Sequence, residues 1–333
     1  MNRKKHFSTV VVLLLLLTGM LMLTGCSWLG LQNSTLDELK QAYANNESEF
    51  IPVNGMNVHI RDEGDGPVLV LLHGVLASLH TWDGWIPELT KHYRVIRIDL
   101  PGFGMTGLPK EKLDKFDLEL VKDTVLKVLK NRQVSKVTLI GNSFGGYLSW
   151  RLAADYPDLV ERVVAIDARS FPQEWPWKLR SLTWFPVRLL TPHIAPLPFV
   201  WYGVHEVYGD GSRVAKGTVL RYHRMLLYDG NRDAMINIID WLKETARPFE
   251  SVPEEGLIGL KQPIMTMWGK KDKWIPFDPI GLRWQKEYPN GVHKVYEDAG
   301  HIPMEEIPEK TLKDLLEFLK TTDSQLGYGS KSK

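Results

Sequence analysis

The sequence predicts an α/β fold with a largely parallel sheet, and three observations carry that prediction. From Phe50 onward, short apolar runs bounded by Gly and Pro alternate with stretches of helical periodicity. The later runs are continuously apolar rather than alternating, as expected of strands covered by helices on both faces. One of them, ending at Ile140, leads directly into Gly141-Asn142-Ser143-Phe144-Gly145-Gly146 and then a helical stretch over 147–156, a strand–turn–helix junction. With 333 residues and 44% apolar side chains, the chain can bury a sizeable core in one or two domains.

The first element is not expected to belong to the fold. Met1-Asn2-Arg3-Lys4-Lys5 precedes an apolar run from Val10 to Leu23, followed by Thr24, Gly25 and Cys26. A basic start, a short apolar stretch and small residues at its end mark a secretory signal, 1–25, and the stretch falls short of the roughly 20 residues a spanning helix needs. Leu23-Thr24-Gly25-Cys26 resembles the bacterial lipobox, which implies lipidation of Cys26, the one cysteine of the chain, and anchoring to a membrane of the bacterial envelope facing away from the cytoplasm. In a cell with two membranes, Ser27 after the cysteine resembles the pattern that permits outer-membrane sorting. Removing 1–25 takes away Arg3, Lys4 and Lys5 and no acid, so the net charge of +1 becomes −2 and the anchor is acyl chains rather than a basic patch. Residues 26–49 read as a lipidated cysteine and a polar tether, with one short helix from Thr35 to about Asn45 capped by Ser34-Thr35-Leu36-Asp37-Glu38.

Strands are expected at 50–53, 56–61, 68–72, 94–98, 136–140, 160–166, 264–268 and 293–296. Leu118, Val121, Val125 and Val128, and later Leu312, Leu315, Leu316 and Leu319, repeat at helical spacing and mark core-facing helices. The alternation breaks over 169–250, which is rich in Pro and then helical, and resumes at Lys261, so the core is 50–168 plus 251–322 with an insertion between two strands of one sheet. The insertion holds 13 aromatic residues in 82, against 34 in all 333, a surplus that suggests an apolar lining. Residues 323–333 read as a flexible tail.

Charge and cysteine content exclude several functions. The near-neutral balance has no basic stripe, so no nucleic acid partner is expected, and no protein partner is indicated. One cysteine closes no intramolecular disulfide and builds no thiolate metal site.

Ser143 sits in G-x-S-x-G between strand and helix, where the turn projects its hydroxyl above the sheet at a helix N-terminus. A serine needs a base and an orienting carboxylate. His301, in Asp298-Ala299-Gly300-His301, follows the last expected strand, and Asp272, in Trp268-Gly269-Lys270-Lys271-Asp272, follows the one before it. Both therefore lie at strand C-terminal ends, where open α/β sheets build their sites. Asp99 and Asp167 also follow strands, and Asp167 could reach a histidine from the neighbouring strand end; Asp272 is the first choice. Oxyanion donors are expected from the backbone of Phe144 and, in the loop Leu71-Leu72-His73-Gly74-Val75, of Val75, with His73 structural. Gly102-Phe103-Gly104-Met105-Thr106-Gly107 spells a dinucleotide fingerprint, but Pro109 and a charged stretch stand where a helix would have to open.

With His73-Gly74, Asp99-Leu100-Pro101-Gly102-Phe103-Gly104, the turn at Ser143, Asp272 and Gly300-His301 in this order, the chain from about Phe50 to Lys320 resembles the α/β-hydrolase superfamily, in the branch with a helical cap after the sixth strand. The resemblance implies a Ser143–Asp272–His301 triad with no metal and no organic cofactor. Haloalkane dehalogenases and epoxide hydrolases of this branch use an aspartate where Ser143 stands. The turn resembles those of many esterases and of carbon–carbon bond hydrolases acting on ring-cleavage products, although the latter commonly carry Trp where Ile302 stands. The expectation is a membrane-anchored serine hydrolase cleaving esters of hydrophobic substrates, of carboxylesterase or lipase type. The alternatives are a C–C hydrolase or perhydrolase-like enzyme with the same triad, and a non-catalytic lipoprotein that uses the fold for binding.

Overall fold

The computed structural model describes residues 28–109, 111, 114–248, 251 and 254–328. The leader 1–25 and Cys26 lie outside them. Eight strands, β1 (Ser48–Val53), β2 (Met56–Glu63), β3 (Val68–Leu72), β4 (Arg94–Ile98), β5 (Val137–Asn142), β6 (Val160–Ile166), β7 (Ile264–Gly269) and β8 (Val292–Tyr296), form one sheet in the order β1-β2-β4-β3-β5-β6-β7-β8. β1 pairs antiparallel with β2 and β2 with β4, while β3 to β8 run parallel. The β1–β2 hairpin turns on Asn54-Gly55, both at positive φ (52° and 73°), the two-residue loop whose twist matches its strands.

Along the central strands, successive side chains enter opposite faces. Val70 and Leu72 join one core cluster and Leu69 and Leu71 the other, as do Val163 and Ala165 against Val164 and Ile166. Both faces are dry, which explains why these strands read as unbroken apolar runs. The helices are α1 (Leu36–Tyr43), α2 (Ile86–Leu89), α3 (Leu118–Asn131), α4 (Phe144–Asp155), α5 (Trp177–Ser181), α6 (Val187–Leu190), α7 (Leu197–Val207), α8 (Thr218–Leu226), α9 (Asn231–Glu244), α10 (Leu282–Glu287), α11 (Pro303–Glu306) and α12 (Pro308–Leu326). Helices α5 to α9 form the cap between β6 and β7.

Two terminal segments differ from expectation. Residues 28–45 are packed rather than extended as a tether: Leu39 is fully buried with Met105 of the core and Met225 of the cap, and the Ser34 N–H donates to Leu227 O at 2.9 Å. Thr35 and Glu38 close the expected capping box, and Arg232 donates to Gly30 O at 2.9 Å. The polar composition conceals one apolar stripe, Leu36, Leu39 and Tyr43, that needs a partner. The expected tail from 323 is structured as far as Tyr328. Asp323 accepts from Arg162 Nη1 at 2.6 Å and from the Tyr93 hydroxyl at 2.7 Å, and the Tyr328 hydroxyl donates to Glu161 at 2.6 Å.

Candidate active site

The turn at Ser143 is tight because its neighbours have no side chain. A Cβ on Gly141 would lie 2.1 Å from Gly145 O, and one on Gly145 2.0 Å from Leu72 O, distances that no real side chain tolerates. Ser143 itself is forced to φ 54° and ψ −113°, and α4 starts directly after it, three residues earlier than periodicity suggests. Its N–H donates to Ile166 O at 2.9 Å and its carbonyl accepts from the N–H groups of Tyr147 (3.0 Å) and Arg169 (3.1 Å). The strained residue is thus held from β6, α4 and the start of the cap together.

His301 Nδ1 lies 2.7 Å from Asp272 Oδ2, both side chains being buried. The other oxygen of Asp272 accepts from the backbone of Trp274 (2.7 Å) and Ile275 (3.1 Å), which aims Oδ2 at the ring. Donation from Nδ1–H to the carboxylate leaves Nε2 as the acceptor of the neutral imidazole.

Ser143 and His301 line one cavity of about 330 Å³ with Gly74, Val75 and Phe144. A Cβ on Gly74 would come within 3.0 Å of Ser143 Cβ, so the Gly74-Val75 loop is pressed against the serine. The cap contributes mainly aliphatic side chains, among them Leu179, Leu182, Leu190, Val200 and Leu242. The aromatic surplus therefore does not serve as the lining. Among the described cap aromatics, only Trp175, Phe199 and Tyr222 reach the cavity, whereas Trp177, Trp184, Phe185, Trp201 and Tyr202 are exposed. Composition counts aromatic side chains but cannot assign them to a helix face.

The two other strand-end acids have distinct environments. Asp99 accepts from the backbone of Leu79 (2.7 Å) and Met105 (2.9 Å) and meets His59 Nδ1 at 2.7 Å. Although burial acts the other way, the nearby His59 and His73 and the backbone donor hold its carboxyl well below the usual range. It organises the loop at Gly102–Gly107, where three glycines take positive φ and Gly102 N–H donates to Gly107 O at 2.6 Å; the next helix after that loop is α3. His73 is fixed between Gly74 O (2.7 Å) and the Leu100 N–H (3.0 Å), so its Nε2 is already an acceptor, and burial lowers its pKa.

Asp167, at φ 42°, accepts the Gly269 N–H at 2.9 Å beside Asp272. Burial, and then the charge of Asp272, push its carboxyl well above the usual range. Asp167, Asp272 and His301 each offer one ligand atom within 4.8 Å, the one such group among the described residues. Asp272 and the ring nitrogen are occupied by each other and Asp167 favours its proton, so the trio is an Asp272–His301 pair beside a third acid rather than an ion cage.

Two residues absent from the sequence argument hold the site together. Asn142 Nδ2 donates to His301 O (2.9 Å) and Ile166 O (3.2 Å), tying the serine turn to the histidine loop. Glu306, buried, accepts from the backbone of Gly300 (2.8 Å), Gly209 (2.8 Å) and Asp210 (2.9 Å) and from Arg213 Nη1 (3.1 Å). With the His301 N–H donating to Val207 O at 2.7 Å, it couples the histidine loop to the end of α7. Adjacency to Ser143 could have flagged Asn142; nothing local distinguishes Glu306 from a surface acid.

An eight-stranded, mostly parallel sheet carrying a strained serine between β5 and α4, with a helical cap after β6, defines the α/β-hydrolase fold. Residues 67–203 match the family model of the alpha/beta hydrolase fold, and the chain has that fold. It is 28% identical over 274 residues to a 2-hydroxy-6-oxononadienedioate/2-hydroxy-6-oxononatrienedioate hydrolase of Burkholderia vietnamiensis, covering 80% of this chain and 91% of the relative. It is 27% identical over 278 residues to the pimeloyl-[acyl-carrier protein] methyl ester esterase of Aeromonas hydrophila, covering 79% and 100%. Among solved structures, a meta-cleavage product hydrolase from Pseudomonas fluorescens superposes with a TM-score of 0.70 at 22% identity, over 84% of this chain and all of that one. At that identity the likeness concerns the fold.

Proposed function

We propose that this chain is a membrane-anchored serine hydrolase that cleaves carboxylic esters of hydrophobic substrates. The observation that carries the reading is the Asp272–His301 pair at 2.7 Å, whose histidine shares an apolar cavity with the strained Ser143. Ser143 Oγ attacks the ester carbonyl as His301 Nε2 takes its proton, and the backbone N–H groups of Val75 and Phe144 receive the oxyanion. Collapse of the intermediate expels the alcohol, which takes the proton back from His301. Water then loses a proton to His301 and attacks the acyl-enzyme, and the acid leaves with Ser143 restored. Asp272 holds the ring and stabilises the imidazolium formed in each half. The lipobox resemblance at Cys26 supports an acyl anchor in a bacterial envelope; among the described residues no helix is long and apolar enough to cross a membrane.

The second reading, a C–C bond hydrolase with the same three residues, is favoured by the relative named for a nonadienedioate. A dioate carries two carboxylates, and the cation on the cavity wall, Arg169, is already paired with Glu254 at 2.9 Å. That pairing and the aliphatic wall favour the ester.

A fluorophosphonate probe followed by peptide mass spectrometry, beside a Ser143→Ala control, tests both readings, and a panel of 4-nitrophenyl esters and a ring-cleavage dienoate then separates them. An adduct on Ser143 with turnover that improves with acyl length is the expected result. Dienoate turnover without ester turnover would transfer the assignment to the C–C reading. No adduct, while a known serine hydrolase is labelled in parallel, would leave a non-catalytic binding module.

A further inference from the structure

We propose that the outer face of the cap docks into the lipid bilayer, beside the acyl anchor, and that hydrophobic esters enter the cavity from the membrane through it. The substrate part rests on the ester hydrolase reading; the docking part does not.

Of the seventeen large hydrophobic side chains exposed among the described residues, nine fall between Trp177 and Tyr202, and three more are Trp28, Leu29 and Leu31. Phe185 is 82% exposed, Trp177 61% and Leu189 59%, and none of these lines the cavity, so they face outward. Soluble monomers scatter such residues rather than gather them. Hydrogen bonds join them into one face. Lys178 donates to the Tyr202 hydroxyl and to Glu206, linking α5 to α7, and the Ala195 N–H donates to Leu29 O at 3.1 Å, bringing the start of the described chain to the same edge.

Three features select a bilayer as the occupant. Four Trp and one Tyr stand beside two Phe and five aliphatic residues, the mixture that suits the boundary between headgroups and acyl chains. Cys26 stands two residues before Trp28, a reach of about 7 Å in extended chain, so acyl groups on Cys26 would be tethered close to the edge that Trp28 and Leu29 form. Of the charges along the face, Lys178 is paired with Glu206 and Arg188 with Asp240, so these two enter a zwitterionic interface as neutral pairs. The route inward is marked by Val187, Leu190 and Phe199, which are exposed and also line the cavity that Ser143 shares.

The test uses the full chain purified from membranes, with the state of Cys26 read separately by mass spectrometry, in phosphatidylcholine vesicles brominated on the acyl chains. Bromine quenches tryptophan emission only at contact, and Trp177, Trp184 and Trp201 are placed to report it. The double substitution Phe185→Asp and Leu189→Asp touches exposed side chains only, and an unchanged melting temperature establishes that it folds. The variant is expected to show about threefold less quenching and about tenfold slower turnover of a long-chain ester embedded in the vesicles, with a short soluble ester turned over within about twofold of the parent. Equal quenching in parent and variant would overturn the proposal. So would a dimer in light scattering that the variant converts to a monomer while quenching stays absent, which would assign the face to a second copy. If no ester is turned over at all, the hydrolase reading fails while the quenching still decides the docking.

Discussion

Asp167 and Asp272, at the ends of the adjacent strands β6 and β7, face one another with different partners: Asp272 is bonded to His301 at 2.7 Å, while burial and then the charge of Asp272 push the Asp167 carboxyl well above its usual range. Each sits where a strand delivers an acid to the site, yet only one carboxylate is directed at the ring. The pair can be separated by isosteric substitution, because an amide imitates a protonated carboxyl and not an ionised one.

Asp272→Asn is expected to lower kcat for ester hydrolysis by about 10³ to 10⁴, since the amide turns the imidazole into the wrong tautomer. Asp167→Asn is expected to stay within about threefold, its Oδ1 still accepting from Gly269 and its Nδ2 replacing the acidic proton. Steady-state rates of both variants check this; equal losses would place Asp167 on the same footing as Asp272.

The same acid makes stability depend on pH. Between the ordinary carboxyl range near about 4 and the raised value in the fold, the unfolded chain has released a proton that the folded one keeps. Stability is therefore complete below that window and falls as pH rises through it, by at most about 1.4 kcal/mol per pH unit from this group. Urea midpoints at pH 5, 7 and 9 should show Asp167→Asn losing less stability toward alkaline pH than the parent. Parallel curves would contradict the assignment.

Glu306→Ala leaves three backbone donors and Arg213 without their acceptor in a buried place. A loss of about 3 kcal/mol or more in urea unfolding is expected, with a fall in kcat because the His301 loop loses its link to α7. A near-neutral result would mean that water replaces the carboxylate.

Gly203 lies on the cavity wall, and a Cβ there meets nothing within 4 Å. Gly203→Leu should fill that space, raising KM for long-chain esters by about tenfold while leaving short ones unchanged, at no cost in melting temperature. An unaltered chain-length profile would place the acyl group elsewhere in the cavity.

Leu39→Ala should cost about 3 kcal/mol, because Leu39 is fully buried between Met105 and Met225. Hydrogen exchange should show α1 opening before the sheet. Unchanged stability would return 28–45 to the role of a tether.

The class of fold and the eight strands were legible in the chain itself, and the chain also singled out the insertion and the residues Ser143, Asp272 and His301. Each is carried by a local signal: apolar runs of strand length, a break in alternation, glycines flanking a serine, or an acid or histidine just past a strand. The sequence could rank Asp272 above Asp99 and Asp167, but only the fold brought its carboxylate to His301, buried Asp167 against it and turned Asp99 toward His59. It was also the fold that sent three of the cap's five tryptophans outward while mainly aliphatic side chains lined the cavity, docked α1 through Leu39 and enlisted Glu306. Those outcomes depend on which distant segments meet and how far water is excluded between them, and periodicity, a relation among near neighbours, carries no record of either.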